Sequence, residues 1–355
     1  YHQDGPRAHI RTARWLHRQM PIRVARRIDD FMILPHVFVR NPSIAEVLRL
    51  YVETFDGLVD FRYIKTPEDE EEFCNMISTL LAQHKDLVTL ISRGHQEVRR
   101  LYPGLRVDNF LDRFFITRIS NRVIAESYLA LRGEPRPGYV GIVKQGLSPA
   151  HVVQSLIPPL TRLTHEVYGF APEVHVTGAL ECTFDYIPEH LVFVIQELLK
   201  NALRSTVERH RPKGTMTTAP IPPVSIELQK GDVHIIIKIS DQGGGIPKHM
   251  QKEVWQYGWT DAWRGDDDDA GDFMWQERMA RRKELAGYGF GLALTKLHAQ
   301  YFGGDVYMQA LPGHGTDMYV LLNHLREGSF GASSDDPMSS LSKDENIRLS
   351  SMRDP

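Results

Sequence analysis

The first third of the chain repeats apolar residues at three- and four-residue spacing, which is the period of an amphipathic α-helix. One such run follows a cap at Asn41-Pro42-Ser43 and extends to Leu58. A second begins at Pro67, and we predict that it continues to a stop at Gly94. A third extends from Phe110 to Leu131. Several long amphipathic helices with short links predict a helical bundle.

Beyond residue 141, strand periodicity joins the helical pattern. Isoleucines at 235, 237 and 239 alternate with less apolar residues, as expected for a strand with one better-buried face. The predicted elements are helices at 149–168, around 196–206 and at 290–302, with strands at 174–176, 224–228, 233–240, 305–310 and 317–322. This mixture predicts an α+β fold with helices on one face of a sheet. Residues from 327 onward lack periodicity, and we expect a disordered tail there.

Composition adds limits to this picture. A chain of 355 residues is long enough for two domains, and its net charge of -3 implies no bulk attraction to nucleic acid. No apolar run reaches the roughly 20 residues of a membrane-spanning helix. The first 27 residues contain seven arginines and one acid, a bias also found in organellar presequences. We interpret Tyr1 to Pro6 as a trimmed terminus, and expect Trp15, Leu16, Ile22 and Val24 to enter the core.

The stretch from Gln196 to Thr206 has two chemically distinct faces when it is read as a helix. The apolar stripe consists of Leu191, Val194, Ile195, Leu198, Ala202 and Leu203. Glu197, Asn201 and Arg204 recur on the other side, and Lys200 lies one turn from Glu197. This polar face could serve acid-base chemistry and metal binding. The alternative is an ordinary amphipathic helix with a solvated side.

Two glycine-rich segments follow that helix. Asp241-Gln-Gly-Gly-Gly-Ile246 comes directly after a predicted strand, where Asp241 could accept a hydrogen bond from an amino group and glycines let a ligand approach the backbone. As a turn alone it would be unremarkable. Gly287-Tyr-Gly-Phe-Gly-Leu292 leads into a helix, so its backbone N–H groups could hold an anion with help from the helix dipole. We therefore predict phosphate binding at the second segment.

Two charged regions leave alternatives open. The insertion at 258–286 carries Asp266 to Asp269 and a basic end, and it is either a solvated loop or a lid ordered by nucleotide. In the predicted bundle, Arg113, Arg118, Asn121 and Arg122 form either a solvated polar face or a pocket for an anion or effector.

Taken in order, four segments resemble the GHKL, or Bergerat, ATP-binding fold: Glu197-Leu-Leu-Lys-Asn-Ala202, Ser240-Asp-Gln-Gly-Gly-Gly245, Gly287-Tyr-Gly-Phe-Gly-Leu292 and Gly315-Thr-Asp317. From about Trp15 to Leu325 the chain resembles the mitochondrial 2-oxoacid dehydrogenase kinases. This resemblance implies a four-helix bundle for regulation and lipoyl-domain docking at 11–148, a GHKL α/β sandwich that binds ATP at 149–326, and a tail at 327–355.

The resemblance also implies roles for individual residues. Glu197, beside Lys200, would be the general base that activates a substrate serine, and Asn201 would coordinate Mg²⁺. Asp241 would recognise the adenine amino group, assisted by Thr316. The other implied nucleotide-binding residues are Arg204, Gly243, Gly245, Gly287, Tyr288, Gly289, Phe290, Gly291 and Leu292. The implied cofactors are ATP and Mg²⁺, with K⁺ as a further candidate.

The implied reaction is transfer of the ATP γ-phosphate to a serine of the decarboxylase component of a 2-oxoacid dehydrogenase complex in the mitochondrial matrix, which inactivates that component. The implied partners are this complex, including its lipoyl-bearing acyltransferase core, and a second copy of the chain, with no nucleic acid and no membrane insertion. An alternative of another class is a non-catalytic, ATP-gated scaffold on the complex core.

The choice of complex rests on short segments. His84 to Ile91, Tyr139 to Ile142 and Tyr168 to Pro172 resemble the branched-chain 2-oxoacid dehydrogenase kinase. Phe193 stands one turn before Glu197, where pyruvate dehydrogenase kinases usually carry histidine. Phe110 to Phe115 is closer to the pyruvate branch. We favour the branched-chain complex as substrate, with pyruvate dehydrogenase as the alternative.

Overall fold

The computed structural model describes residues 5–211, 220–231, 234–259 and 288–325. Gly287, the acidic run Asp266 to Asp269 and the predicted tail at 327–355 lie outside these ranges. The α+β architecture predicted from the sequence is confirmed, with a helical N-terminal region followed by a sheet domain. No helix in the described ranges is long and apolar enough to cross a membrane.

The N-terminal region is built from helices. They are α1 (Gly5–Met32), α2 (His36–Val39), α3 (Pro42–Asp60), α4 (Pro67–Gln83), α5 (Leu87–Leu101) and α6 (Asp108–Arg132). Asn41 caps α3 by accepting hydrogen bonds from the backbone N–H groups of Ser43 and Ile44. Thr66 and Asp69 form a reciprocal capping box at the start of α4. The sequence signals for both helix starts therefore operate in the structure.

The predicted end of the second helix at Gly94 is wrong. The predicted helix is divided into α4 and α5 by a turn at residues 84–86, and Gly94 lies inside α5. A Cβ built on Gly94 would come within 2.7 Å of both Asn41 and Ile44. Glycine is required here because α5 packs closely against the start of α3, and not because the helix stops.

Of the four residues in the arginine-rich α1 that we expected to enter the core, two are buried there. Leu16 and Val24 are buried in the bundle, whereas Trp15 is 44% exposed and Ile22 is 51% exposed. The apolar character of these side chains did not show which face of α1 the bundle covers.

The second half contains two sheets. The helices are α7 (Pro149–Tyr168), α8 (Pro188–His210) and α9 (Gly291–Tyr301), and the strands are β1 (Tyr139–Val140), β2 (Val143–Leu147), β3 (Val174–Gly178), β4 (Phe184–Tyr186), β5 (Val224–Lys230), β6 (His234–Asp241), β7 (Asp305–Leu311) and β8 (Gly315–Asn323). The larger sheet has the order β3-β5-β6-β8-β7, in which β3 and β5 are parallel and the other pairs antiparallel. Strands β1, β2 and β4 form a small antiparallel sheet that the periodicity did not predict.

One face of the larger sheet packs against α8. Ile235, Ile237 and Ile239 of β6 are buried together with the apolar stripe of α8, as the alternation predicted. The bundle has a separate core, but that core also contains Phe290, Ala293 and Leu294 from the segment around α9. The start of α9 is therefore packed into the bundle.

Candidate active site

A cleft lies between α8, the ends of β6 and β8, and the start of α9. The predicted residues that line it are Glu197, Asn201, Arg204, Asp241, Gly243, Gly245, Gly289, Gly291, Leu292 and Thr316. These residues come from segments up to about 120 positions apart in the sequence, and the pairing of β6 with β8 places Asp241 opposite Thr316. The fold thus brings most of the predicted site residues to one place.

Glu197 is held between two positively polarised groups. Its Oε1 lies 2.6 Å from Nζ of Lys200, whose residue is 7% exposed. A Cβ built on Gly291 would come within 2.4 Å of Glu197 Oε2, so the carboxylate reaches the first turn of α9. Ammonium and helix N-terminus both attract a carboxylate. The side chain is therefore fixed at the junction of α8 and α9.

Asn201 faces the same cleft one turn after Glu197. Its amide oxygen and the neighbouring carboxylate are the hard oxygen ligands that Mg²⁺ prefers, usually together with substrate phosphates. The residues present therefore fit a Mg²⁺ ion that is shared with a nucleotide.

Asp241 ends β6, and its carboxylate accepts a backbone hydrogen bond inside the cleft. Gly243 N donates to its Oδ1 at 2.7 Å, whereas the Ser205 hydroxyl donates to the Ala202 carbonyl at 3.1 Å. Burial raises the pKa of Asp241 to about 6, and hydrogen bonding opposes that shift. A carboxylate fixed in an apolar cleft suits recognition of an amino group.

The sequence reasoning missed Ser205 and most of the apolar lining. Ser205 lies four residues after Asn201, which was a usable signal because that spacing repeats one helix face. The other lining residues are Leu198, Ala202, Ile239, Ile246, Val254, Trp259, Met308 and Met318. The sequence around such residues does not mark them, since apolar residues that contact an adenine ring have the same composition as those of any core.

Tyr288 and Phe290, two of the predicted nucleotide-binding residues, direct their side chains to the bundle. Phe290 is 3% exposed, and its ring contacts those of His95, Phe115 and Tyr257 at centroid distances of 5.4, 5.9 and 5.1 Å. Tyr288 also packs against the bundle core. Packing against the bundle directs both side chains away from the cleft, so this segment faces a ligand with its backbone and with the side chain of Leu292.

Phe193, one turn before Glu197, contacts an imidazole. Its ring centroid lies 4.5 Å from that of His298 on α9, and His298 Nδ1 is 2.8 Å from His190 Nδ1. Burial lowers the pKa of His298 well below its usual value, so the pair is neutral. The histidine near this turn is thus supplied by α9 and not by position 193.

The basic cluster of the bundle lines a second pocket. Arg118, Asn121 and Arg122 face a small cavity between helices, together with Tyr51 and His84. Burial and the neighbouring Arg122 lower the pKa of Arg118 to about 10. In the described part of the chain, Arg118 Nε and Asn121 Oδ1 have no hydrogen-bond partner. This placement favours the pocket interpretation for these three residues.

Arg113 differs from the rest of that cluster. It lies outside the cavity lining, and its Nη2 is 3.6 Å from Asp30 Oδ1. Its charge is therefore used in an ion pair within the bundle.

Comparisons with known proteins agree with this geometry. Residues 186–326 match the family described as histidine kinase-, DNA gyrase B-, and HSP90-like ATPase. Residues 2–144 match the family described as mitochondrial branched-chain alpha-ketoacid dehydrogenase kinase. The fold and the cleft thus define a protein of the GHKL class, whose nucleotide is ATP.

Relatives that match across most of the chain show which family within this class it belongs to. The chain is 31% identical over 318 residues to the mitochondrial pyruvate dehydrogenase (acetyl-transferring) kinase of Arabidopsis thaliana, covering 88% of this chain and 85% of the relative. It is 28% identical over 329 residues to the mitochondrial pyruvate dehydrogenase (acetyl-transferring) kinase isozyme 1 of Rattus norvegicus, covering 88% of this chain and 72% of the relative. For isozyme 4 of Mus musculus the identity is 29% over 332 residues, covering 89% and 77%. The chain belongs to the mitochondrial 2-oxoacid dehydrogenase kinase family. Its prediction as an ATP-dependent protein kinase is confirmed, which leaves the scaffold alternative without support.

Proposed function

We propose that the chain transfers the γ-phosphate of ATP to a serine of the decarboxylase component of a 2-oxoacid dehydrogenase complex in the mitochondrial matrix. One observation carries this proposal. Glu197 and Asn201 of α8 line the same cleft as Asp241 of β6 and the first turn of α9. A nucleotide bound with its base at Asp241 and its phosphates at α9 would present the γ-phosphate beside Glu197.

Each residue of the site has its own role in the proposed reaction. Asp241 accepts a hydrogen bond from the adenine amino group, and the backbone N–H groups at Gly289 and Gly291 bind phosphate at the helix N-terminus. Asn201 would hold Mg²⁺, which would neutralise charge on the phosphates; K⁺ is a further candidate ion. Phosphoryl transfer depends mainly on positioning and electrostatics. Lys200 holds the Glu197 carboxylate, which accepts the proton of the substrate serine.

Two substrate complexes are supported by different findings. The branched-chain complex is supported by the description of the family that residues 2–144 match, and by the segments at 84–91, 139–142 and 168–172. The pyruvate complex is supported by the relatives, which are named pyruvate dehydrogenase kinases. We propose both as candidates, to be separated by direct assay.

The bundle supports the proposed docking on the lipoyl-bearing core. A cavity of about 360 Å³ lies where α1 and α6 meet the β1–β2 hairpin. Its mouth includes Trp15, Leu131 and Val140, which are 44%, 55% and 45% exposed. An apolar pocket of this size is in the range that holds small organic groups, such as a lipoyl arm. We also propose a homodimer as the working unit.

A transfer assay with labelled ATP tests the function. The chain is incubated with the purified decarboxylase component of each complex, and phosphoserine is located by mass spectrometry. We expect one component to be labelled and to lose activity in step with labelling. A Glu197→Gln chain is the matched control for contaminating kinases. Failure to label either component with active wild-type protein would contradict the proposal.

A further inference from the structure

A short segment, Gln256 to Trp259, connects the helical bundle with the nucleotide cleft. It follows a 3₁₀-helix at Glu253–Trp255, and its last residue, Trp259, lines the cleft together with Gly289. Tyr257 lies in the middle of this segment and is not among the described residues that line the cleft. Its side chain is buried in the core of the bundle. The nucleotide-binding half is therefore anchored in the bundle at Tyr257.

Two hydrogen bonds and two ring contacts fix Tyr257. Its hydroxyl donates to Asp112 Oδ1 of α6 at 2.7 Å, and its carbonyl accepts from Arg99 Nη1 of α5 at 2.7 Å. Its ring centroid lies 5.7 Å from that of Phe115 and 5.1 Å from that of Phe290. Burial raises the pKa of the Asp112 carboxyl, and the hydrogen bond from Tyr257 opposes that shift. The hydroxyl thus stabilises a carboxylate that burial disfavours.

The residues after Tyr257 pack against the second glycine segment. Gly258 N donates to the Gly289 carbonyl at 3.0 Å. A Cβ built on Gly289 would come within 2.4 Å of the Trp259 carbonyl oxygen, and one built on Gly258 would come within 2.9 Å of the His95 ring of α5. No side chain separates these two stretches of backbone, so a shift of Gly258 moves Gly289 with it.

We propose that Tyr257 is a positioning residue for the phosphates of ATP. Through its bonds to Asp112 and Arg99, the bundle holds the Gly289 backbone at the place where its N–H group binds phosphate. The inference rests on the proposed function, because it requires the phosphates to lie at the start of α9. The adenine end of the cleft is held separately, since Asp241 belongs to β6 and is paired with β8. Loss of the Tyr257 bonds should therefore affect phosphate binding and leave the base unaffected.

Tyr257→Phe isolates the hydroxyl, because the ring and its aromatic contacts are kept. The Asp112 carboxylate loses this donor, and a buried polar group without its partner is costly. The segment then has more freedom in the nucleotide-free protein. Ordering it when the phosphates bind costs conformational entropy, and that cost lowers the affinity for ATP.

The test compares ATP with adenosine, which has the base and no phosphates. Calorimetry measures ATP binding and ligand-observed NMR measures adenosine binding, for wild type and Tyr257→Phe. We expect ATP to bind about tenfold more weakly to the variant and adenosine to bind within about twofold of wild type, as for loss of one hydrogen bond to a charged group. A general loss of folded protein would weaken both ligands equally. Equal losses for both ligands would overturn the inference, and so would an unchanged ATP affinity.

Tyr128→Phe is the matched control. The buried Tyr128 hydroxyl donates to the Glu70 carboxylate and joins α6 to α4 inside the same bundle. This variant loses the same kind of bond from the same core but keeps the contacts of residues 256–259. Both ligands should bind to it as they do to wild type. A loss of ATP affinity equal to that in Tyr257→Phe would overturn the specific role of Tyr257.

Arg99→Met tests the second bond, because it removes the donor to the Tyr257 carbonyl and keeps an unbranched side chain. We expect ATP to bind about threefold more weakly and adenosine to bind as to wild type, as for loss of one neutral acceptor. Arg93→Met is its control, since Arg93 lies on the exposed side of α5 and pairs with Glu97. Equal ATP affinities for the two variants would overturn the role of Arg99 in holding the segment.

Asp241→Ala distinguishes failure of this inference from failure of the proposed function. It should weaken adenosine and ATP alike, because it removes the acceptor for the base. Retained adenosine affinity in Asp241→Ala means that the adenine contact fails, and with it the proposed position of the nucleotide. Loss of both ligands in Asp241→Ala beside wild-type ATP binding by Tyr257→Phe means that only the role of Tyr257 fails.

Discussion

The nucleotide cleft and the bundle pocket both contain buried basic side chains, but they balance the charge differently. In the cleft, Lys200 lies 2.6 Å from Glu197. In the bundle, Glu126 pairs with Arg122, while Arg118 is deeply buried beside that second arginine. A balanced pair holds a carboxylate ready for proton transfer. A surplus of positive charge is suited to holding an anion, so the same residue types serve different purposes.

The largest expected effect comes from removing the charge of Glu197. Glu197→Gln keeps the size of the side chain but leaves no base to accept the serine proton, a contribution of about 10²–10⁴-fold in rate. We expect phosphoryl transfer to fall by that factor while ATP affinity in calorimetry stays close to wild type. Turnover at the wild-type rate would exclude Glu197 as the base.

The next effect concerns binding alone. Asp241→Ala removes the acceptor proposed for the adenine amino group, and loss of a buried hydrogen bond to a charged group costs about 2–3 kcal/mol. We expect ATP affinity in calorimetry to fall by about 30- to 150-fold. Thr164→Ala on α7 removes a buried hydroxyl bond outside the cleft and serves as control. Equal ATP affinities for Asp241→Ala and wild type would rule out the contact.

The smallest expected effect is on protein stability, and it tests whether positive charge in the bundle pocket is uncompensated. Arg118→Met removes a buried cation that burial and Arg122 disfavour, and such replacements are often stabilising by about 1 kcal/mol or more. We expect a higher midpoint of chemical denaturation for the nucleotide-free protein. Arg113→Met, which breaks the pair with Asp30, should lower the midpoint. A lower midpoint for both variants would show that the Arg118 charge is compensated.

The elements that the sequence predicted well are those with strong periodicity. Helix α7 has the predicted bounds, and β6 shows the predicted alternation of buried residues. In both cases the local pattern and the tertiary packing agree, because one face of each element meets the core. The polar face of α8 with Glu197, Asn201 and Arg204 could be predicted from the sequence for the same reason.

Features that depend on distant contacts could not be predicted in this way. Gly94 has the local character of a helix stop, but its role is set by the close approach of α3. Strand β2 has mostly half-buried and exposed residues, so nothing in its pattern marks it as a strand; it is defined by its pairing with β1 and β4. Phe290 lies in a glycine-rich motif, and only the fold shows that its ring packs in the bundle core and not in the cleft.

The position of Phe290 has a consequence for how the molecule can be divided. Its ring, with Ala293 and Leu294, completes the apolar interior of the N-terminal helices, although all three belong to the nucleotide-binding half by sequence. Arg99 Nη1 also donates to the Tyr257 carbonyl at 2.7 Å across the same boundary. A nucleotide-binding half expressed without the bundle would therefore expose an aromatic patch to water and tend to aggregate. Heat should melt the two halves in a single cooperative transition.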